Sequence, residues 1–256
     1  MKQTRILMGM PITVELIDAS AAEQDIDDVY AYFTYVDEKF STYKDTSEIS
    51  QINRHRLALE QASADMRTVL RLAEQTRQET DGYFDIAHGG VIDPSGLVKG
   101  WAIFNAAERL RAKGFQNFYV EAGGDVQAFG HNSQGRDWRV GIRNPFNMDE
   151  IVKVLAITDK GVATSGNYVR GQHIYNPRRR AEDGESSAEA LDEIVSLTVI
   201  GPNIYEADRF ATAAFAMGRR GIVFIQDLPG FEGYMIDRQG QATLTSGFGS
   251  YVSRDA

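Results

Sequence analysis

The run TDGYFDIAHGGVIDPSGLVKG, residues 80–100, sets Asp85, Asp93 and Lys99 among closely spaced glycines. Carboxylates and an ammonium in that setting can hold a polar ligand. Trp101, Phe104, Ala107 and Leu110 then follow at helical spacing, with Gly114 where a C-cap belongs. A glycine-rich loop opening a helix offers backbone amides and a positive dipole end, which suit phosphate. The same residues also read as ordinary turns, Asp-Gly and Pro-Ser-Gly among them. Lys99 beside a helix start is disfavoured by the dipole. It therefore hints at an anionic ligand, against the commoner reading of a surface lysine.

Three further groupings can carry chemistry. Asp208 and Thr212 lie four apart on an expected helix, so both point the same way. A carboxylate and a hydroxyl on one face suit magnesium or calcium, although an acid near a helix start is favoured anyway. His173 precedes the turn-forming Asn176-Pro177 and reads either as a general base or as a turn cap. The strand-ending Ala163-Thr164-Ser165-Gly166 can approach a ligand closely or form a plain turn. Gly123-Gly124-Asp125 lacks the dinucleotide-binding spacing, and neither a phosphate-binding P-loop nor a nucleophile elbow occurs.

The chain must supply a scaffold for these groups. Its 256 residues suffice for a substantial core, and its 43% hydrophobic and 25% charged content is that of a globular protein. No window reaches the ~18 apolar residues of a membrane span. The N-terminus shows no secretory pattern, so the expected compartment is the cytoplasm, or the periplasm if a leader has been removed. A net charge of -9 argues against nucleic acid as partner. It also means that any phosphate ligand needs help from a metal, a lysine or backbone amides. Zero cysteines exclude disulfides and thiolate metal sites.

Residues 5–17 read as a strand with a break at Met8-Gly9-Met10-Pro11. Ser20 and Glu23 match a capping box, and Ile26, Val29, Tyr30, Phe33, Val36 and Phe40 continue as a helix. A polar turn, Ser41–Lys44, ends it. Helices are expected from Ser63 to Thr80, from Tyr205 to Met217 and near Ile222 to Gln226. Strands are expected at 117–121, 138–143, 194–200, 234–237 and 242–244, with 151–158 and 162–165 as a further pair. Residues 178–193 are charged, poor in apolar side chains, and expected to form a mobile loop. The irregular order of helices and strands gives an α+β fold, with mixed or antiparallel sheets and flanking helices, in one domain spanning 1–256.

Seven segments, in order, resemble the ApbE-like FAD:protein FMN transferase family. They are Met8-Gly9; Phe40-Ser41-Thr42-Tyr43 with the following Ser47–Asn53; Thr80-Asp81-Gly82-Tyr83-Phe84-Asp85; Asp93 through Gly100; Gly123-Gly124-Asp125; Ala163–Gly166; and the pair Asp208 and Thr212. The resemblance implies a T-fold-like architecture and an enzyme that cuts FAD at its diphosphate with Mg²⁺. FMN is then attached through its phosphate to a Ser or Thr of a flavoprotein, and AMP is released. It implies Asp208, Thr212 and backbone oxygens of Gly96 and Ala211 as metal ligands. Met8, Tyr43, Tyr83, Phe84, Asp85, Asp93, Lys99 and Tyr175 would contact FAD, and His173 would be the catalytic histidine. Three departures stand out. Asn176 replaces the acid of the family's H-x-x-D-P, Pro94-Ser95 replaces an apolar and a small residue, and the charged loop replaces a tight turn. The alternatives are a Mg²⁺-dependent FAD pyrophosphatase, a non-catalytic FAD-binding protein, and an α+β domain without a flavin site.

Overall fold

The computed structural model describes residues 1–166 and 193–253. Its centre is an eight-stranded sheet in which every neighbouring pair is antiparallel. The strands run in the spatial order β1 (Lys2–Leu7), β2 (Met10–Leu16), β5 (Phe118–Ala122), β6 (Asp125–Phe129), β9 (Lys160–Gly166), β10 (Ile194–Gly201), β11 (Glu232–Asp237) and β12 (Ala242–Leu244). Two two-stranded ladders stand apart from it. One is β3 (Ala87–His88) with β4 (Val91–Ile92), the other β7 (Trp138–Asn144) with β8 (Asn147–Ile157).

The sheet separates two cores, because alternate side chains of a strand point to opposite faces. On one face lie α1 (Glu23–Phe40), α2 (Glu48–Asn53), α3 (Ala64–Glu79), α4 (Ser95–Ala112), α5 (Ile204–Ala216) and α6 (Gly221–Asp227). They pack against Ile12, Val14, Phe118, Val120, Ala163, Leu197 and Val199. On the other face the β7–β8 hairpin brings Trp138, Val140, Leu155 and Ile157 onto Val126, Ala128, Val162, Tyr234 and Ile236. The α+β expectation holds in this form. None of the helices is long and apolar enough to cross a membrane, among the described residues.

Several local expectations are met. Ser63 caps α3 by accepting the Met66 amide, and β12 has the expected bounds. Others are corrected. Residues 5–17 are not one interrupted strand but the hairpin of β1 and β2, whose turn places Met8 and Gly9 at φ 52° and 72°. A non-glycine residue at positive φ is uncommon, so the sequence signals this turn weakly. Ser20 does not cap α1. Ala22 is the N-cap, and Asp25 reaches back to accept its amide at 3.0 Å. Residues 151–158 and 162–165 are not partners of each other. β8 pairs with β7, while β9 lies between β6 and β10. The charged segment expected to be a loop lies outside the described residues, except Glu193.

Candidate functional site

The glycine-rich run divides into turn and helix. Thr80 closes the end of α3, donating to the Thr76 carbonyl and accepting the Phe84 amide at 3.1 Å. Asp81 and Gly82 then turn the chain at positive φ. Gly89 and Gly90, at φ 61° and 83°, form the two-residue turn between β3 and β4. These glycines therefore serve a hairpin rather than a phosphate cradle. Asn53 of α2 fastens the hairpin, with its side-chain amide making two 2.9 Å bonds to the backbone of Ile92. Asp93 follows, its Oδ1 accepting the Ser95 amide at the start of α4. The helix begins at Ser95, so Lys99 lies within it rather than beside its entry.

One turn further on, α4 meets α5. Gly100 makes this contact possible, because a Cβ there would stand 2.6 Å from Asp208 Cβ and 2.9 Å from the Ile204 carbonyl. The Gly100 amide donates to Asp208 Oδ2 at 2.7 Å. The Lys99 ammonium lies 3.4 Å from Asp208 Oδ1 and 2.5 Å from Asp125 Oδ2. Thr212, one turn along α5, donates its hydroxyl to the Gly96 carbonyl at 3.3 Å. Helices α4 and α5 and strand β6 thus gather a lysine, two carboxylates, a hydroxyl and a carbonyl.

Asp208 is 2% exposed. Burial raises its pKa, and the neighbouring charge of Asp125 raises it further. Lys99 and the Gly100 amide oppose this, leaving it at about 7. The native state thus holds this proton more tightly than the unfolded chain does. The stabilising contribution is complete below the ordinary value of 3.8 and is lost as pH rises through about 7. In EDTA, Asp208→Asn is expected to gain stability relative to the unmodified chain across that window, by an amount of order a few kcal/mol. Paired thermal melts from pH 4 to 8 check this. A stability difference that does not change with pH would contradict it.

The donors fit a hard cation. Carboxylate, hydroxyl and carbonyl oxygens suit magnesium, whose octahedral ligands lie ~2.1 Å from the ion and hence about 3 Å from one another. The 3.3 Å between Thr212 Oγ1 and the Gly96 oxygen matches that spacing. Among the described residues no cluster of three His, Cys, Asp or Glu side chains forms a metal centre. A metal here would rest on the mixed oxygen set. Ala211 is fully buried in the middle of α5, where helical geometry directs its carbonyl to the next turn.

The remaining expected residues are distributed unevenly. Phe84 is 2% exposed and packs beside Gly96, so its ring is core. Tyr83 is half-buried, and Asp85 accepts the Ala87 amide. Tyr43 is 96% exposed. Met8 sits in the β1–β2 turn. His173 and Tyr175 lie outside the described residues. The residue that spacing alone missed is Asp125. It reads as part of a Gly-Gly-Asp turn, yet it is 1% exposed and contacts Lys99. Only its place in an ordered series of motifs marked it.

The model of the ApbE family matches residues 8–93 and 88–235. The FAD:protein FMN transferase of Haemophilus influenzae is 24% identical, over 95% of this chain and 90% of that protein. The protein of the same name from Vibrio cholerae is 30% identical over 50% of this chain and 39% of its own length. The structure of the flavin transferase ApbE from Vibrio cholerae superposes with a TM-score of 0.83, covering 98% of each chain at 23% identity. That of the ApbE protein from Thermotoga maritima gives 0.85, covering 99% of each at 20% identity. With its motifs in order and its fold shared, this chain belongs to the ApbE family.

Proposed function

We propose that this protein is an FAD:protein FMN transferase, using Asp208, the Thr212 hydroxyl and the Gly96 carbonyl to hold Mg²⁺. The observation that carries the reading is the buried Asp208 carboxylate, placed by Gly100 against α4 one helical turn from the paired Thr212 hydroxyl and Gly96 carbonyl. The names of the relatives, FAD:protein FMN transferase, support the substrate and the reaction. In the reaction, an acceptor Ser or Thr oxygen forms a bond to the FMN phosphorus. The diphosphate bridge breaks, and AMP leaves with the bridging oxygen. The hydroxyl proton passes to a base, a role proposed for His173.

Magnesium, when bound, supplies Lewis-acid stabilisation of the charge that develops on the phosphoryl oxygens. The chain's own groups do the rest. Lys99 contributes positive charge in a protein whose net charge is -9. Asp93 fixes the start of α4 at Ser95 and thereby the Gly96 carbonyl one residue later. Tyr83, Asp85 and the exposed Tyr43 are proposed to contact FAD, as are Met8 and Tyr175.

The test is incubation with FAD and Mg²⁺, with and without a candidate flavoprotein acceptor, followed by intact mass measurement and an assay for AMP. Acceptor mass rising by one FMN phosphoester, with one AMP per event, is expected. AMP release unchanged by any acceptor would point instead to hydrolysis of FAD.

A further inference from the structure

Asp125 is absent from the donor set above, yet its carboxylate is built into the site. It opens β6 directly after Gly123 and Gly124, both at positive φ. β6 pairs with β9 only from Val126 to Ala128. One residue earlier, the Asp125 side chain replaces the ladder, with Oδ1 accepting the Thr164 amide at 3.0 Å. That bond fixes the carboxylate to the sheet. Oδ2 is buried, has no donor aligned for a hydrogen bond, and meets the Lys99 ammonium at 2.5 Å. The same ammonium is 3.4 Å from Asp208 Oδ1. Asp208 Oδ2 accepts the Gly100 amide while Lys99 faces Oδ1, so Oδ1 is the oxygen for which Lys99 and a cation would compete.

We propose that Asp125 is a positioning residue that draws the Lys99 ammonium away from Asp208 and so leaves Oδ1 open to a divalent cation. This rests on the metal reading of Asp208. Lys99 has a flexible stem and three donors, and it follows the stronger of two nearby carboxylates. Remove the charge of Asp125 and the lysine closes on Asp208. The charge balance points the same way. With all three groups ionised the cluster carries one net negative charge, which Asp125→Asn abolishes, Lys99→Met doubles, and the double substitution restores.

The experiment is calorimetric titration of the FAD-free protein with MgCl₂ alone, in parallel with thermal melts. Asp125→Asn, which keeps an oxygen for the Thr164 amide, is expected to weaken binding roughly tenfold or more. Lys99→Met is expected to bind at least as tightly as the unmodified protein. The double variant is expected to return to within about threefold of it. A merely structural Asp125 would leave the double variant as weak as Asp125→Asn, which would overturn the proposal. So would Lys99→Met binding more weakly than the unmodified protein, a result that stands even if Asp125→Asn fails to fold. Magnesium binding that is present, lost in Asp208→Asn and indifferent to Asp125→Asn overturns this proposal alone. No Asp208-dependent binding at all overturns the metal reading with it.

Discussion

Asp208→Asn is expected to lower Mg²⁺-dependent AMP release from FAD by roughly a thousandfold while leaving the protein folded. The substitution keeps the shape of the side chain and an oxygen for the Gly100 amide, which the carboxylate accepts at 2.7 Å. It removes the charge that would hold the cation. Lys99 keeps a partner, because Asp125 stands at 2.5 Å. The fold should therefore persist, and the loss should appear in turnover and in metal dependence together. Single-turnover AMP release at several Mg²⁺ concentrations, alongside circular dichroism, measures both. Activity within about tenfold of the unmodified protein would show that Asp208 is not the metal's charged ligand.

Gly161→Ala is expected to be the most damaging small substitution near the site. Gly161 lies in β9 beneath the first turn of α5. A Cβ there would fall 2.1 Å from the Ile204 amide nitrogen and 2.3 Å from its Cα. Those are backbone atoms, so no side chain can swing aside. The helix start would have to lift off the sheet, breaking the 2.8 Å bond from the Ile204 amide to Gln127 Oε1. Overpacking of this kind costs about 3 kcal/mol, and for a chain of this size that lowers Tm by roughly 6–12 °C. Asp208 lies one turn above Ile204, so metal binding should weaken as well. Denaturant titration gives the stability change. A loss under about 0.5 kcal/mol would mean that α5 tolerates the displacement.

Much of this arrangement is legible in the residues. The helical spacing behind Ser63 and around Phe210 predicts α3 and α5 to within a residue or two, because each buries one clear stripe. Asp208 and Thr212 are four apart on such a stripe, which is why their pairing can be read without coordinates. β6 is harder to see. Asp125-Val126-Gln127-Ala128 is buried on both faces, so the alternation that reveals a strand is missing. Its two polar side chains are drawn to the helix face by partners far along the chain, Lys99 and Ile204. The short α2 gives too few turns for a periodic signal. Gly89 and Gly90 show the opposite difficulty. Their type suits both a phosphate loop and a hairpin turn, and only the pairing of His88 with Val91 decides between them. The role of Asp93 is similar: a turn acid in sequence, it accepts the Ser95 amide where α4 begins in the fold.

The bond from the Gly100 amide to Asp208 spans 108 positions of chain. It therefore bears on how the protein comes into being, since closing so long a stretch of chain costs entropy before the contact repays it. A chain emerging from the ribosome exposes α4 well before α5 exists. Through that interval Lys99 and Asp125 can meet, but the carboxylate and hydroxyl of α5 are still to come. The α4 and β6 part of the cluster is thus complete in the chain before residues 204–216, which bring Asp208 and Thr212, have been made.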